Sequence, residues 1–349
     1  MSGGVDSSVT AKLLIDAGCD VTGATMHLYT NEDIGIPQGK TCCSLNDVED
    51  ARSVAAKLGI DFHVFNFDDE FKARVIDNFI GTYLEGGTPN PCIECNKHLK
   101  FGSFLDRARL LGFDMVATGH YALIERDGET GRYLLKRSPD RRKDQSYVLY
   151  GMTQEQLAHT VFPVGAMTKD EIRRIAAENG LINARKPDSQ DICFIPDGDH
   201  GRFIEERAGA QPHGDVVLAG TGEVIGEHGG LFRYTVGQRK GLGISWTEPL
   251  FVVGKDTERN RLILGTAQES MRRTLTVREL NLISLEKLDK PIRCTAQTRY
   301  HQQDAPCTVT PLGNGGAQIE FDEPHKAVCR GQSAVMYDGD IVIGGGIIE

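Results

Sequence analysis

The sequence predicts an α/β protein, with a doubly wound parallel sheet in its first half and mostly short strands in its second half. Three observations support this class. Helical and strand patterns alternate as far as about Pro196, and a glycine-rich turn opens the first helix. Beyond Pro196 glycines become dense and helical periodicity disappears. In an open parallel sheet, ligands bind at the carboxyl ends of the strands, which is where a functional site is expected.

The first half is predicted element by element from apolar spacing and from stop signals. Residues 7–17 form a helix with Val9, Leu13 and Leu14 on one face and Gly18 at its end. The later predictions are a strand at 21–28, a helix from a capping-box-like Ser44 and Asp47 to Gly59, a strand at 62–67, a helix carrying Phe71, Val75 and Phe79, a helix at 101–111, a strand at 115–118, and a helix capped by Thr168 and Glu171 that ends at Gly180.

The second half has a different texture. Residues 213–243 form a small glycine-rich module, and short strand-like runs follow it. These runs, at 274–277, 293–298, 307–310, 317–321 and 334–336, are separated by Gly, Pro and Asp. The pattern is typical of a small antiparallel barrel or sandwich.

Composition excludes several classes. The 349 residues contain no apolar run long enough to cross a bilayer and no signal peptide before the first motif, so we expect a cytosolic protein without a membrane partner. Nine cysteines in a reducing compartment are better interpreted as thiols or metal ligands than as a disulfide scaffold. The net charge of −10 does not indicate a nucleic-acid binder, although local basic patches can still bind one. Such patches are Arg137 with Arg141, Arg142 and Lys143, then Arg239 with Lys240, and Arg272 with Arg273.

The strongest local motif is the run Ser2, Gly3, Gly4, Val5, Asp6 and Ser7 at the start of the first helix. Two glycines let the backbone approach a phosphate, and the helix N-terminus favours the anion. Asp6 is suited to holding Mg²⁺. No Gly-Lys-Ser/Thr follows, and the motif resembles the PP-loop of the ATP pyrophosphatases, which adenylate an oxygen. In that superfamily a strand precedes the loop, so we expect residues upstream of position 1.

Three cysteines could carry sulfur. Cys92 and Cys95 form a CxxC in a segment that we interpret as a proline-stiffened loop, and Cys193 lies in 188–195. Lys97 and Lys100 are expected to lower a thiol pKa. Sulfur transfer needs one cysteine to carry a persulfide and another to reduce or resolve it, and Cys95 and Cys193 fit this pair of roles. A redox pair is less consistent with a CxxC that does not open a helix, and a zinc site lacks a second CxxC. Iron–sulfur ligation by Cys92, Cys95 and Cys193 stays open as an alternative.

Taken together, the segments resemble the tRNA-specific 2-thiouridylase family over essentially the whole chain. Besides the loop, the matching segments are 42–44, 47–52, 90–97, 117–121, 143–147, 188–195, 232–243 and 299–300. The resemblance implies a PP-loop domain at 1–196, a small tRNA-facing central domain at 197–273 and a C-terminal β-barrel at 274–349.

The same resemblance implies the site and the reaction, which is ATP-dependent 2-thiolation of the wobble uridine at position 34. The implied cofactors are ATP and Mg²⁺, and the implied partners are the tRNA anticodon loop and a sulfur-donor protein or sulfide, without DNA. Cys95 would be the nucleophile and Cys193 the persulfide carrier. The ATP site would comprise Ser2, Gly3, Gly4, Val5, Asp6, Ser7, Met26 and Gly119; the target base would meet Asn90, Pro91 and Cys92; and the tRNA would meet Lys143, Asp144, Gln145, Arg299 and Tyr300.

Cys92 is a departure from the family pattern, because many members have Asp there. A third thiol makes a three-cysteine ligand set available, so a [4Fe–4S] cluster and a direct persulfide relay both remain hypotheses. Two other functions also stay open. One is a different PP-loop ligase that transfers nitrogen, and the other is a non-catalytic tRNA-binding protein.

Overall fold

The computed structural model describes residues 1–30, 45–187, 192–326 and 328–349. Contacts group the chain into two compact units. The first comprises Met1–Val75, Cys92–Gly198 and Asp340–Val342, and the second comprises Ile76–Pro91, Asp199–Gly339 and Ile343–Glu349. Within these described ranges, no helix is long and apolar enough to span a membrane.

The helices and strands follow in chain order. Helices α1–α10 are Val5–Asp16, Leu45–Leu58, Asp68–Phe71, Asp77–Leu84, Pro91–Glu94, Phe104–Leu110, Ser146–Leu149, Gln154–Ala158, Lys169–Glu178 and His200–Ala208. Strands β1–β8 are Gly23–His27, Phe62–Asn66, Val116–Ala117, Ala122–Arg126, Tyr133–Arg137, Thr160–Val161, Gly214–Leu218 and Val224–His228. Strands β9–β16 are Phe251–Asp256, Arg261–Gly265, Met271–Leu282, Ile292–Gln297, Ala305–Pro311, Ala317–Lys326, Ser333–Asp338 and Ile341–Ile348.

The first unit has the predicted α/β character. Strands β1 and β2 are parallel, with Gly23 opposite Phe62 and His27 opposite Asn66, and β3 and β6 form a second parallel pair. Helix α1 packs on α9 through a core that includes Val9 and Ile172, both fully buried. The predicted helices and strands of this half are confirmed to within a few residues, because apolar spacing and glycine stops are local signals.

Helix α9 begins as predicted. The Thr168 hydroxyl accepts from the Glu171 amide, and the Glu171 carboxylate accepts from the Thr168 amide at 2.7 Å, which completes a capping box worth about 1 kcal/mol. The Ser44 start predicted for α2 lies outside the described residues. Its partner Asp47 accepts a hydrogen bond from Lys186 at 2.5 Å.

The second unit contains a four-stranded sheet in the order β8–β7–β10–β9, in which only β7 and β10 are parallel. Its core includes the fully buried Val216, Val252 and Leu262. The glycine-rich texture predicted for 213–243 therefore belongs to a small β-module, whose turns use glycines in left-handed conformations such as Gly220 and Gly222.

The C-terminal strands close into a barrel. Their order is β11–β14–β13–β12–β15–β16, and β16 pairs back onto β11, with Ile348 opposite Val277. The five strands predicted here are confirmed. Of the two predicted architectures, a barrel or a sandwich, the structure shows the barrel. Strand β16 was missed because its Gly344, Gly345 and Gly346 lower its strand signal. A Cβ on Gly346 would lie 2.7 Å from the Arg278 carbonyl oxygen, so the close approach to β11 requires glycine.

Gly119 fixes the position of the loop after β3 against the start of α1. A Cβ built on Gly119 would lie 2.8 Å from the Asp6 Cβ and 2.9 Å from the Ser7 nitrogen. Both distances are shorter than real carbon contacts, so any side chain at this position would push the first turn of α1 aside.

We expect Gly119→Ala to destabilise the first unit by about 1–3 kcal/mol and to weaken ATP binding, because the added methyl overpacks the first turn of α1. Urea unfolding followed by circular dichroism and titration calorimetry with ATP would measure the two effects. Gly128→Ala is the matched control, since nothing lies within 4 Å of the methyl that it adds. Equal behaviour of the two variants would contradict this account of the packing.

Candidate active site

The glycine-rich loop has the backbone shape that the motif predicts. Gly3 has a φ of +70°, and a Cβ at this position would lie 2.4 Å from the Asp47 carbonyl oxygen. The positive φ and the close approach to Asp47 together require glycine at position 3. Gly4 follows as the N-cap of α1, and the first-turn amides of a helix have no acceptor within the helix. The loop therefore presents N–H donors at the positive end of a helix dipole, which suits a phosphate.

Asn183 holds the loop from behind. Its buried side-chain amide donates to the Gly3 oxygen at 3.1 Å, to the Gly4 oxygen at 3.2 Å and to the Ser8 hydroxyl at 2.7 Å. On the other side, the Ser2 amide donates to the Ser7 hydroxyl oxygen at 3.1 Å. The two loop carbonyls are satisfied within the protein, which leaves the amide side of the loop for an anion.

Asp6 lies in a polar cluster with residues distant in sequence. The Lys169 ammonium is 2.8 Å from each carboxylate oxygen of Asp6, and the Tyr121 hydroxyl donates to one of them at 2.7 Å. Carboxylate oxygens are the ligands that Mg²⁺ prefers, so the residue type fits the expected ion. A metal ion at Asp6 would have to replace the ammonium contact.

The remaining ATP candidates lie on the same unit. Met26 is on β1, one residue after Thr25, whose hydroxyl donates to the Met1 carbonyl oxygen at 2.5 Å directly before the loop. Gly119 contacts the first turn of α1, as described above. The structure therefore brings residues 2–7 and Gly119 together, as expected, and their nucleotide contacts stay predictions.

The CxxC segment is helical, and the prediction of a loop was wrong. Helix α5 begins at Pro91 and continues from Cys95 into a π-helical stretch, Cys95–Ser103. Proline suits the first position of a helix, where its missing N–H costs nothing, so proline there did not exclude a helix. Cys95 is buried and Cys92 is exposed, while the buried Asn96 side chain donates to the Val148 oxygen at 2.9 Å and anchors the segment.

The thiols are less acidic than predicted. Cys193, like Cys92, keeps exposed surface, but the protein that surrounds these thiols still desolvates them. This desolvation raises the pKa of Cys92 and of Cys95, and it raises the pKa of Cys193 to about 12. The positive charge of Lys100 lowers all three pKa values, but this effect is smaller than that of desolvation. The prediction that a lysine lowers the thiol pKa is therefore confirmed for the effect of Lys100. The prediction that the thiols have low pKa values is wrong, because desolvation raises these values by more.

The three thiols belong to one neighbourhood. Charge on Cys95 and on Cys92 raises the pKa of Cys193, which requires all three side chains to be close. The Tyr29 hydroxyl donates to the Cys193 carbonyl oxygen at 2.7 Å, and Phe194 packs edge-on against Phe71 at 5.7 Å. Residues 188–191 and Cys42, Cys43 and Ser44, which also carried the resemblance, lie outside the described residues.

Among the described side chains, no three His, Cys, Asp or Glu residues form a group that could hold a metal ion. The described side chains include Cys92, Cys95 and Cys193, so these three cysteines do not form such a group either. His120 does not act as a cation here, because burial holds its pKa well below the usual value and Thr118 shares a 2.8 Å hydrogen bond with its Nδ1.

The expected tRNA contacts are partly engaged within the protein. Asp144 accepts from the Ser138 amide at 2.8 Å and from the Ser146 hydroxyl at 2.7 Å. The Gln145 side chain accepts from the Tyr121 amide at 3.0 Å. These two residues thus order the loop that carries Lys143.

In the second unit, the half-buried Arg299 guanidinium lies 2.6 Å from the Cys329 sulfur and also donates to the Val236 oxygen. The ring of Tyr300 lies 3.8 Å from that of His301. Both residues stay predictions as tRNA contacts. The target-base candidates Asn90 and Pro91 group with the second unit, whereas Cys92 groups with the first.

Sequence reasoning missed Lys169, Asn183 and Tyr29. Each acts on a partner more than 160 residues away, and no local pattern predicts such a contact.

The phosphate-binding loop, the parallel strands and the adjacent thiols define an α/β nucleotide-binding domain equipped for thiol chemistry. Three family models match the chain: "tRNA methyl transferase HUP domain" over 1–197, "tRNA methyl transferase PRC-barrel domain" over 201–266, and "Aminomethyltransferase beta-barrel domain" over 272–348.

The similar proteins are named tRNA-specific 2-thiouridylase MnmA. Those of Moorella thermoacetica and Clostridioides difficile are 52% and 49% identical, with all of this chain and 98% and 96% of those proteins covered. The one from Symbiobacterium thermophilum is 51% identical, with all of this chain and 90% of that protein covered. The chain belongs to the tRNA-specific 2-thiouridylase family.

We expect Lys100→Met to slow alkylation of Cys92 and Cys193 at pH 8 and to shift their rate profiles to higher pH. The reason is that loss of the positive charge raises the thiol pKa and lowers the thiolate fraction. Peptide-resolved mass spectrometry after timed iodoacetamide labelling would give the rates. Lys97→Met is the control, because Lys100 is the lysine whose charge lowers the pKa of these thiols. The assignment fails if Lys97→Met has the larger effect.

Proposed function

We propose that this protein uses ATP to replace the 2-oxygen of the wobble uridine of tRNA with sulfur, releasing AMP and pyrophosphate. The observation that carries the proposal is the presence of a phosphate-binding loop and three neighbouring thiols in one compact unit. The names of relatives about 50% identical over the whole chain support the same substrate.

The nucleotide half of the reaction solves a leaving-group problem. Uridine C2 is a weak electrophile, and its oxygen leaves poorly. Attack of that oxygen on the α-phosphorus of ATP forms an O–P bond and breaks the bond to pyrophosphate, so that AMP becomes the leaving group. The loop amides and the N-terminus of α1 would hold the phosphates, and Asp6 would hold Mg²⁺, which offsets charge on the pyrophosphate.

The sulfur half needs two cysteines in different roles. The terminal sulfur of a Cys193 persulfide attacks C2 and expels AMP, which leaves the base joined to Cys193 through a disulfide. The Cys95 thiolate then attacks the Cys193 sulfur, the base departs as 2-thiouridine, and a Cys95–Cys193 disulfide remains. A thiol reductant restores both thiols, and a sulfur-donor protein that carries a persulfide then transfers its terminal sulfur to the Cys193 thiolate and is left as a thiol. Sulfide can recharge the carrier only by attacking the Cys193 sulfur of the disulfide, which forms the Cys193 persulfide and releases the Cys95 thiolate.

The raised thiol pKa values give this scheme a resting state. With a pKa of about 12, Cys193 is protonated at neutral pH, and buried Cys95 is also held protonated. Attack by Cys95 therefore requires a change in its surroundings, which substrate entry would supply. Exclusion of water also protects the adenylated base from hydrolysis, and an anticodon loop presents bases that unstack readily.

We assign the tRNA contacts to Lys143–Gln145 and Arg299–Tyr300 by family resemblance, and the target base to Asn90, Pro91 and Cys92. The three-part division at 196 and 273 is proposed on the same basis. The iron–sulfur alternative, with Cys92, Cys95 and Cys193 as ligands, differs from the relay in needing all three thiols and a coloured protein.

The test is mass spectrometry of tRNA nucleosides after incubation of anaerobically purified protein with ATP, Mg²⁺, unmodified tRNA and a persulfide donor. We expect 2-thiouridine only with ATP, and a loss of at least about 100-fold for Cys95→Ser and Cys193→Ser, because each removes a group that forms a bond in the reaction. Cys19→Ser is the control, since Cys19 is an exposed thiol at the end of α1.

Several outcomes would decide between the alternatives. Full activity of Cys95→Ser or Cys193→Ser would overturn the relay. Dependence of activity on a brown chromophore, together with loss in Cys92→Ser, would select the cluster. Absence of 2-thiouridine with any sulfur source, while tRNA still binds, would favour a tRNA-binding protein without catalysis.

A further inference from the structure

The loop at the start of α1 contains no lysine, unlike the Gly-Lys-Ser/Thr loops of the common P-loop nucleotidases. The structure brings a lysine to the loop from elsewhere. Lys169 is 163 residues from Asp6 in sequence, and its Nζ lies 2.8 Å from both oxygens of that carboxylate. Its side chain is 10% exposed, so this cation is held within the fold.

The electrostatics of this contact favour a further anion. Asp6 is in the first turn of α1, Lys169 is the first residue of α9, and the two helices pack together. The positive end of α1 and the Lys169 ammonium thus meet around one carboxylate, whereas the N-terminus of α9 is already capped by Thr168 and Glu171. Tyr121, whose ring lies 5.9 Å from the Lys169 ammonium, completes the cluster with its hydroxyl on Asp6.

We propose that Lys169 is the phosphate-binding lysine of this loop, and that its ion pair with Asp6 is the nucleotide-free arrangement. When the magnesium nucleotide enters, Asp6 exchanges the ammonium for the metal ion, and the ammonium transfers to the β- and γ-phosphates, which leave as pyrophosphate. The ligand class is an inorganic or nucleotide-borne pyrophosphate. The proposal rests on the proposed adenylation, and it adds the residue that recognises its leaving group.

Another lysine near the loop differs in its pairing. Lys186 donates to Asp47 at 2.5 Å and to Asp50 at 2.6 Å, so two carboxylates already neutralise it. Lys169 pairs with the carboxylate that is suited to bind the metal ion. Of these two lysines, Lys169 is therefore the one whose ion pair a metal ion at Asp6 would disrupt.

Titration calorimetry with inorganic pyrophosphate and with AMP, each with Mg²⁺, tests the assignment without tRNA, sulfur or turnover. We expect Lys169→Met to weaken pyrophosphate binding by about 10–100-fold, because a charge-assisted contact is lost, and to change AMP binding by less than about threefold. Mg²⁺ alone should bind more tightly to Lys169→Met than to the wild type, because Asp6 is released. The control is Lys12→Met, which removes a lysine paired with Asp16 at the far end of α1.

A structural role would give a different pattern. If Lys169 only clamps α9 to α1, pyrophosphate and AMP binding should weaken together, and Mg²⁺ affinity should not rise; either result, or unchanged pyrophosphate binding, overturns the proposal. Should Lys169→Met fold poorly because Asp6 is left unpaired, Asp6→Asn is compared with Asp6→Asn/Lys169→Met in Mg²⁺-free pyrophosphate. Neither variant has an unpaired carboxylate at position 6, and the two differ only in the ammonium of Lys169. The proposal requires the double variant to bind at least about tenfold more weakly than Asp6→Asn.

The two proposals fail separately. Selective loss of pyrophosphate binding without any tRNA thiolation would leave Lys169 assigned and overturn the proposed reaction. Thiolation with unaltered pyrophosphate binding in Lys169→Met would do the reverse.

Discussion

The close contact of four chain segments around the first turn of α1 is the constraint on which the candidate site depends. Gly3 lies against the Asp47 backbone, Gly119 lies against Asp6, and Asn183 holds the loop carbonyls. None of these contacts leaves room for a larger side chain or a shifted backbone. The surface proposed to bind phosphate is therefore preorganised by packing, and the charges of Asp6 and Lys169 are held in fixed positions.

In the thiol region, desolvation has a larger effect on the pKa values than the neighbouring charge. Desolvation raises the pKa of all three cysteines, and the charge of Lys100 reverses this only in part. A raised pKa keeps a thiol protonated and lowers its reactivity toward other thiols and disulfides. Tyr29, which is buried beside Phe71, fixes the backbone of Cys193 and also lowers the pKa of its thiol through a side-chain hydrogen bond, so it acts on both the position and the acidity of this thiol.

Much of the fold could be predicted because its signals are local. The capping box at Thr168, the glycine stops and the alternating strands of the barrel all depend on neighbours within a few residues. The CxxC segment was mispredicted because Pro91 was interpreted as a loop residue when it is a helix-initiating one. Lys169 and Asn183 could not be predicted from local pattern, since their partners lie more than 160 residues away. The net pKa of a thiol likewise depends on burial, which the neighbouring lysines in the sequence do not reveal.

Closure of the C-terminal barrel has a consequence for how this part of the chain is made. The ring of strands is completed where β16 pairs with β11, with Ile348 opposite Val277. These two strands come from opposite ends of the barrel segment. Until β16 has been synthesised, β11 and β15 each have an unpaired edge, and such edges are templates for pairing between chains. Closure of the barrel must therefore come late during translation, because β11 pairs with β14 earlier but can pair with β16 only once this last strand is available.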